Sequence, residues 1–462
     1  RQMCIRDRVK TRQQVAAAGG EVTVDFYLIN EKNVRGNHQL KISVTDSQGK
    51  VMEVGTYETE AAGGEVYGQL LVKDVKIPVP TAGGLCRIEA KLCKENSVVT
   101  TGYDDILSVN LASNMLDGKG AVWEDGSALQ NFLKGKTKEA VAAYEDNLGK
   151  LDWIMVARPP RKDQLTMVPM EALRSADGKP GLDVVYYEDM EFQKEVYHEV
   201  AKVVNLSAIE GATPSPFVYM LDGYGIKWSG KVLPSVSGEY TIIPQSNDRS
   251  MIEVFVNGKK IYEITRKKEH LGDGKVYLEE GKSADIEIRF RHPRSNARCR
   301  LDWAVPNDKM PDAQRLMERA VNDGTKIFII QSADEWSEFI AANSKAVFKD
   351  KFFVGTNWLG GVMFNKPHDI FKELPVGNAL NWPYQALIHT GVERMGLVME
   401  GEELLVGAYH TYPMAIGTAM GIVPMGKGSV LFSTLDIYGN IINDSAAGLV
   451  AKKLIFNMID FK

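Results

Sequence analysis

Ile252, Val254 and Val256 alternate along the chain up to Asn257-Gly258, and Ile261 and Ile264 follow. Asn-Gly tolerates positive φ at both turn centres, so this stretch reads as a β-hairpin with one dry face. Ile286, Ile288 and Phe290 repeat the pattern, alternating with Asp285, Glu287, Arg289 and Arg291. Side chains of a strand alternate between its faces, so such residues need a second apolar layer to cover them. Alternation runs from about Gly181 to Pro306, which predicts a β-sandwich over residues 178–307.

A second strand-rich region lies nearer the start. The segments at 22–30, 38–46, 65–77 and 85–93 are rich in Val, Ile, Leu, Tyr and Phe, with Asn, Gly, Ser and Pro between them. Short strands with regular turn signals predict an immunoglobulin-like β-sandwich over residues 9–112. The texture then changes. Leu129, Phe132 and Leu133 fall at helical spacing, and Trp153, Ile154, Met155 and Val156 form an unbroken apolar run. Such a run suits a parallel strand covered on both faces.

After Pro311 the same texture returns. Residues 313–324 predict a helix stopped by Gly324, and residues 326–330 a buried strand. Ser332 and Glu335 stand at capping-box spacing ahead of a second helix. Residues 429–437 read as a strand and 445–459 as a closing amphipathic helix. The expected fold is therefore multidomain. An immunoglobulin-like β-sandwich precedes a doubly wound α/β domain at 113–177 and 308–462, which the second sandwich interrupts. Insertion is tolerated where an exposed loop leaves chain ends close together.

Composition narrows the function classes. The 462 residues carry a formal net charge of −5, without a large basic cluster, so no nucleic-acid partner is expected. Leu404 to Gly426 is uncharged but broken by glycine, proline and His410, so no membrane span is expected. Cys4, Cys86, Cys93 and Cys299 show no zinc-ligand spacing and read as free thiols. Residues 1–8, RQMCIRDR, resemble a translated sequencing adaptor. On that reading the chain is a fragment whose natural sequence continues upstream of Val9.

The middle segment resembles the protective-antigen-type (PA-14) carbohydrate-binding domain. The matching pieces are residues 181–189, 226–261, 278–292 and 301–306, including Trp-Ser-Gly, Ser-Gly-Glu-Tyr-Thr, Asn-Gly-Lys and Leu-Asp-Trp. The resemblance implies a sugar site with Trp228 and Trp303 as candidate stacking rings, although framework packing is the preferred role for both. Members that use calcium hold it with adjacent aspartates, and Asn247-Asp248 occupies that place here. An amide in place of one carboxylate removes a charge that a hard cation needs, so no calcium cofactor is expected and a polar turn is preferred.

The flanking parts resemble the immunoglobulin-like and amidotransferase-like domains near the C-terminus of bacterial glycoside hydrolase family 2 proteins, the β-galactosidase-like group. Residues 24–32, 64–72, 148–156, 322–336, 368–375 and 426–439 carry this resemblance. It implies a catalytic barrel upstream in the same polypeptide, a carbohydrate partner, and a periplasmic or extracellular location.

No catalytic residue is expected in this chain. A retaining glycosidase needs two carboxylates roughly 5 Å apart, usually on a (β/α)₈ barrel of about 250 residues, and the two α/β stretches are too short and interrupted for one. An acyl-transfer site needs an activated nucleophile, but residues 113–177 and 308–462 contain no cysteine and no Gly-x-Ser-x-Gly elbow. Gly421 to Lys427 imitates a phosphate loop, yet Gly428 stands where Ser or Thr should be, so a hairpin turn is expected. His198-Glu199 lacks the second histidine of a zinc-protease motif, because Lys202 holds that place. Glu400, Glu402 and Glu403 read as solvated turn. The sequence thus predicts a non-catalytic accessory part of a glycoside hydrolase. The alternative is a free-standing glycan-binding or adhesion protein.

Overall fold

The computed structural model describes residues 6–461 except 96, 112–114, 161–164, 209–212, 247–249, 295–296, 307–310, 355–360, 390–394, 412–413 and 443–445. The chain divides into two compact units, and it is mostly β.

The first unit combines residues 1–114, 367–385 and 443–462. Arg6–Thr11, Glu21–Ile29 and Gly68–Pro78 form a three-stranded antiparallel sheet. Arg6 pairs with Ile29, so the segment read as an adaptor contributes residues to this ladder. A five-stranded sheet runs in the order Val15–Ala17, Ser97–Val109, Gly84–Lys94, Arg35–Thr45 and Val51–Ala62. Val22, Val24, Phe26 and Leu28 alternate inward from one sheet; Leu40, Ile42, Val44, Ile88 and Ala90 do so from the other. The result is a β-sandwich. Cys86 and Cys93 lie on the same strand as buried free thiols.

Helix Ala446–Asp460 packs in this first unit, against Val15–Ala17 and the short turn Asp369–Phe371. Asn457 donates from Nδ2 to the carbonyls of Ile370 and Lys372 at 2.9 and 3.0 Å.

The second unit combines residues 115–366 and 386–442. Its ten-stranded sheet is mixed. Ala142–Ala143, Gly120–Glu124, Trp153–Ala157, Lys326–Ile329 and Gly428–Ser433 run parallel. Met414–Met425, Met395–Glu400 and Val347–Phe353 then extend the sheet antiparallel, in place of further parallel strands. All five residues of Trp153–Ala157 are buried, as an internal parallel strand requires. Helix Ala313–Asp323 begins at Asp312, whose carboxylate accepts from the Gln314 and Arg315 amides, and ends at Gly324 with φ of 80°. Met425 pairs with Gly428 around Gly426-Lys427, so the phosphate-loop imitation is a hairpin turn.

Ser332 departs from the expected capping box. It lies in the left-handed region with φ of 54°, and its side chain makes no cap hydrogen bond. Its carbonyl instead accepts from the Glu335 amide at 3.0 Å.

The same unit contains a two-sheet β-sandwich. One sheet has five strands and centres on Ala297–Ala304 and Gly238–Ser246; the other has eight and centres on Tyr224–Val232 and Ala284–His292. Met251–Val256 and Lys259–Ile264 form the expected hairpin, with φ of 49° at Asn257 and 76° at Gly258. Alternating Ile252, Val254, Ile286, Ile288 and Phe290 fill its core.

Candidate functional site

Strand parity decides the fate of the two candidate tryptophans. Tyr224, Ile226 and Trp228 alternate on one strand and point into the sandwich core. Trp228 is 3% exposed and meets Phe290 edge-on at 6.1 Å between ring centroids. Trp303 is 2% exposed and lies 5.2 Å from Tyr240. A stacking ring must present a free face, and neither does, so the sugar-stacking expectation is corrected to framework packing for both. Asn247 and Asp248 lie outside the described residues. Among the described residues no group of three or more His, Cys, Asp or Glu side chains is placed to hold a metal ion.

Exposed aromatic surface occurs elsewhere on this sandwich. Phe217 is 65% exposed and Tyr219 is 90% exposed, and Phe217 lies beside the outer strand Glu195–Ala201. Phe217 lies 5.1 Å from Tyr197, which lies 6.0 Å from the buried Tyr186. Tyr186 donates to Glu199 Oε1 at 2.7 Å, and burial, reinforced by that carboxylate, pushes its phenol well up. The ring row is thus anchored at its inner end and open at its outer end. Sequence reading passed over Phe217 and Tyr219 because no motif marks them; the only signal was two aromatics in a loop bounded by Ser, Pro and Gly.

A cavity of about 470 Å³ opens where the parallel strands end. Pro159 follows Trp153–Ala157, Gln331 follows Lys326–Ile329, and Thr434, Leu435 and Asp436 follow Gly428–Ser433. The five-stranded sheet of the sandwich supplies the facing wall through Met167, Asn205, Gln245, Arg300 and Asp302. Arg300 donates to both Asp302 oxygens at 2.7 Å. Burial pushes the Asp302 carboxyl up, and Arg300 opposes that rise.

Nearby polar groups are tightly engaged. Arg158 reaches Asp125 at 2.5 Å, Thr166 donates to the other Asp125 oxygen at 2.5 Å, and Trp336 Nε1 donates to the Arg158 carbonyl at 2.7 Å. Burial lowers the Arg158 guanidinium, with Asp125 opposing. Glu124 accepts from the Leu129 and Gln130 amides and from the Tyr438 hydroxyl, yet burial still raises its carboxyl.

These strand ends carry arginine, glutamine, serine, threonine and aspartate. Cys299, the one free thiol in this unit among the described residues, is buried within the sandwich, and that burial raises its pKa. A buried neutral thiol is inert. Among the described residues no helix is long and apolar enough to cross a membrane.

Comparison with known proteins agrees with the sandwich described above. Residues 178–315 match the PA14 domain family. The anti-sigma-I factor RsgI3 of Acetivibrio thermocellus is 28% identical over 127 residues, which are 27% of this chain and 19% of that protein. The chain therefore spans about a fifth of this curated relative's length. Among solved structures, a β-glucosidase from Kluyveromyces marxianus aligns at 13% identity and a TM-score of 0.31, covering 47% of this chain and 27% of the other. The epithelial adhesin 9 A domain from Candida glabrata aligns at 14% identity and a TM-score of 0.22, covering 33% and 89%. The sandwich of the second unit, residues 178–315, is a PA14 domain.

Proposed function

We propose that this chain is a non-catalytic accessory part of a carbohydrate-active protein of the β-galactosidase-like class. On this reading the PA14 domain holds glycan for a catalytic barrel in the same polypeptide, outside the cell or in the periplasm. The mixed sheet is then a structural relative of amidotransferase-like domains that has lost its nucleophile. The observation that carries the reading is the PA14 match over residues 178–315.

Two features support it. The exposed rings of Phe217 and Tyr219 offer flat apolar faces, which suit the C–H surfaces of sugar rings. The parallel strand ends lack a cysteine to attack a carbonyl. Calorimetric titration of the full chain with oligosaccharides, alongside analysis for cleavage products, tests the proposal. Saturable binding without cleavage supports it, and release of sugar contradicts it. The uninterrupted gene tests the parentage: a barrel with two paired glutamates supports it, and its absence favours a free-standing glycan-binding or adhesion protein.

A further inference from the structure

Strand parity turns one side of the eight-stranded sheet of the PA14 domain toward solvent. Trp228, Val254, Ile286 and Ile288 point into the core, so their neighbours Ser229, Phe255, Glu287 and Arg289 point outward. Ser229 and Phe255 stand opposite Glu287 from either side. These side chains border a groove of about 360 Å³, which Gly230, Gly258 and Asp285 also line. The sequence makes the room, since Ser229 is small and the two glycines bring no side chain. Every residue lining the groove, its chain neighbours and its strand partners belong to the described residues.

The polar groups of the groove are accessible and held in place. Arg289 lays its guanidinium over the Phe255 ring, 4.7 Å from the centroid, and donates from Nε to Glu287 Oε1 at 2.6 Å. Its two terminal nitrogens, and the Ser229 hydroxyl, have no protein partner among the described residues. The Arg289 and Glu287 side chains are 37% and 32% exposed. Asp285, more exposed still, meets Lys231 at 2.7 Å through Oδ1. A guanidinium fork fixed by a ring and a carboxylate loses little freedom when it binds.

Charge on this face balances. Arg289 offsets Glu287, and Lys231 offsets Asp285. Farther along the face, Glu253 pairs with Arg291 and Lys260, and Glu263 with Lys260. Lys227, opposite Arg289, and Asp183, opposite Ser229, add one charge of each sign. An anion in the groove would meet Asp285 and Glu287, and a cation would meet Arg289. A peptide main chain finds no partner either, because strand Ala284–His292 spends its backbone on neighbours at both sides. The groove offers side-chain donors, side-chain acceptors and an apolar ring. A sugar hydroxyl donates and accepts at once, so it can bridge Glu287 and Arg289, and a sugar C–H face suits a phenyl ring.

We infer that this groove on the outer sheet face of the PA14 domain holds one or two rings of a neutral oligosaccharide. Its volume falls at the lower end of the roughly 300–1,000 Å³ typical of small-molecule sites. The inference deepens the reading of the domain as glycan-holding and rests on it. It places the sugar apart from Phe217, which neighbours Tyr197 on the inner side of the same sheet.

Fluorine labels read the two places separately. The full chain carrying 4-fluorophenylalanine in place of Phe255, or in place of Phe217, is titrated with cellobiose, lactose and xylobiose, and separately with digalacturonate. A saturable ¹⁹F shift at position 255 with at least one neutral disaccharide, and a weaker response to digalacturonate, are expected. Arg289→Lys keeps the charge but loses the fork, and Ser229→Leu fills the groove without touching an ion pair. Each should weaken the response at position 255 roughly tenfold or more, the effect of about 1.4 kcal/mol. Both side chains point outward, and should one variant fail to fold, the other still decides. A shift at position 217 alone would overturn the inference and leave the PA14 proposal standing. No shift at position 255 with any neutral sugar, full affinity in a folded variant, or a preference for digalacturonate would overturn it too.

Discussion

Lys453 Nζ lies 2.6 Å from Glu373 Oε2 and 3.2 Å from the Asn110 carbonyl, with the lysine side chain 5% exposed and the glutamate 30%. Three separate parts of the chain thus meet at one ammonium in the first unit. Breaking a buried pair is costly when it strands the buried partner. Glu373→Gln strands the lysine and should cost about 2 kcal/mol in urea denaturation. Lys453→Met strands only a partly hydrated carboxylate and should cost less than half as much. The reverse order would mean that the lysine is hydrated in solution.

Trp303 separates packing from polarity. Its indole N–H is buried with no hydrogen-bond partner, while its ring packs on Tyr240. Trp303→Ala should therefore destabilise the PA14 domain by about 3–5 kcal/mol through the cavity it leaves. Trp303→Phe should cost clearly less, since it removes an orphan donor along with some apolar area. Thermal unfolding of both variants checks the difference.

Acid should loosen the first sandwich partly through Asp25. Its carboxylate accepts from the Asp74 amide at 2.8 Å and pairs with Arg12 at 3.1 Å, and the amide and guanidinium hold it below the usual carboxylate range. Arg12 also pairs with Asp74. A lowered carboxylate contributes stability that is fully present above its unfolded value, about 3.9, and lost as pH falls through the folded one. Asp25→Asn should flatten the fall in stability below about pH 4 relative to the parent chain. An unchanged slope in denaturation midpoints against pH would contradict this.

Tyr219 should matter for glycan and not for folding. At 90% exposure, Tyr219→Ala should leave stability within about 0.5 kcal/mol, as surface substitutions do. Loss of one stacking ring should weaken oligosaccharide binding by about 0.5–1.5 kcal/mol, if it resembles other aromatic contacts. Adding a chelator should leave binding unchanged, because Asn247 supplies an amide where a calcium ligand pair needs a carboxylate. Binding that vanishes with the chelator would instead establish a metal site.

Local chemistry made much of the fold readable. The Asn257-Gly258 hairpin follows from backbone freedom at two residues, and Trp153–Ala157 follows from a run with no polar face. Ser332 shows the limit of such rules: the capping spacing is present, but its backbone is left-handed and its side chain makes no cap hydrogen bond. The inward direction of Trp228 was written in its alternation with Tyr224 and Ile226. The helix at 446–460 was legible as a helix, but no local pattern encodes which unit it joins. The cavity was invisible for the same reason. Asn205, Arg300 and Gln331 are ordinary residues until folding brings them together.

Titration calorimetry of the intact 462-residue chain against oligosaccharides, with the mixture then resolved for shortened products, tests the central claim most directly. The account predicts saturable heat from at least one glycan and recovery of that glycan at full length. Shortened sugar produced by the purified chain, or no heat with any glycan, would contradict it.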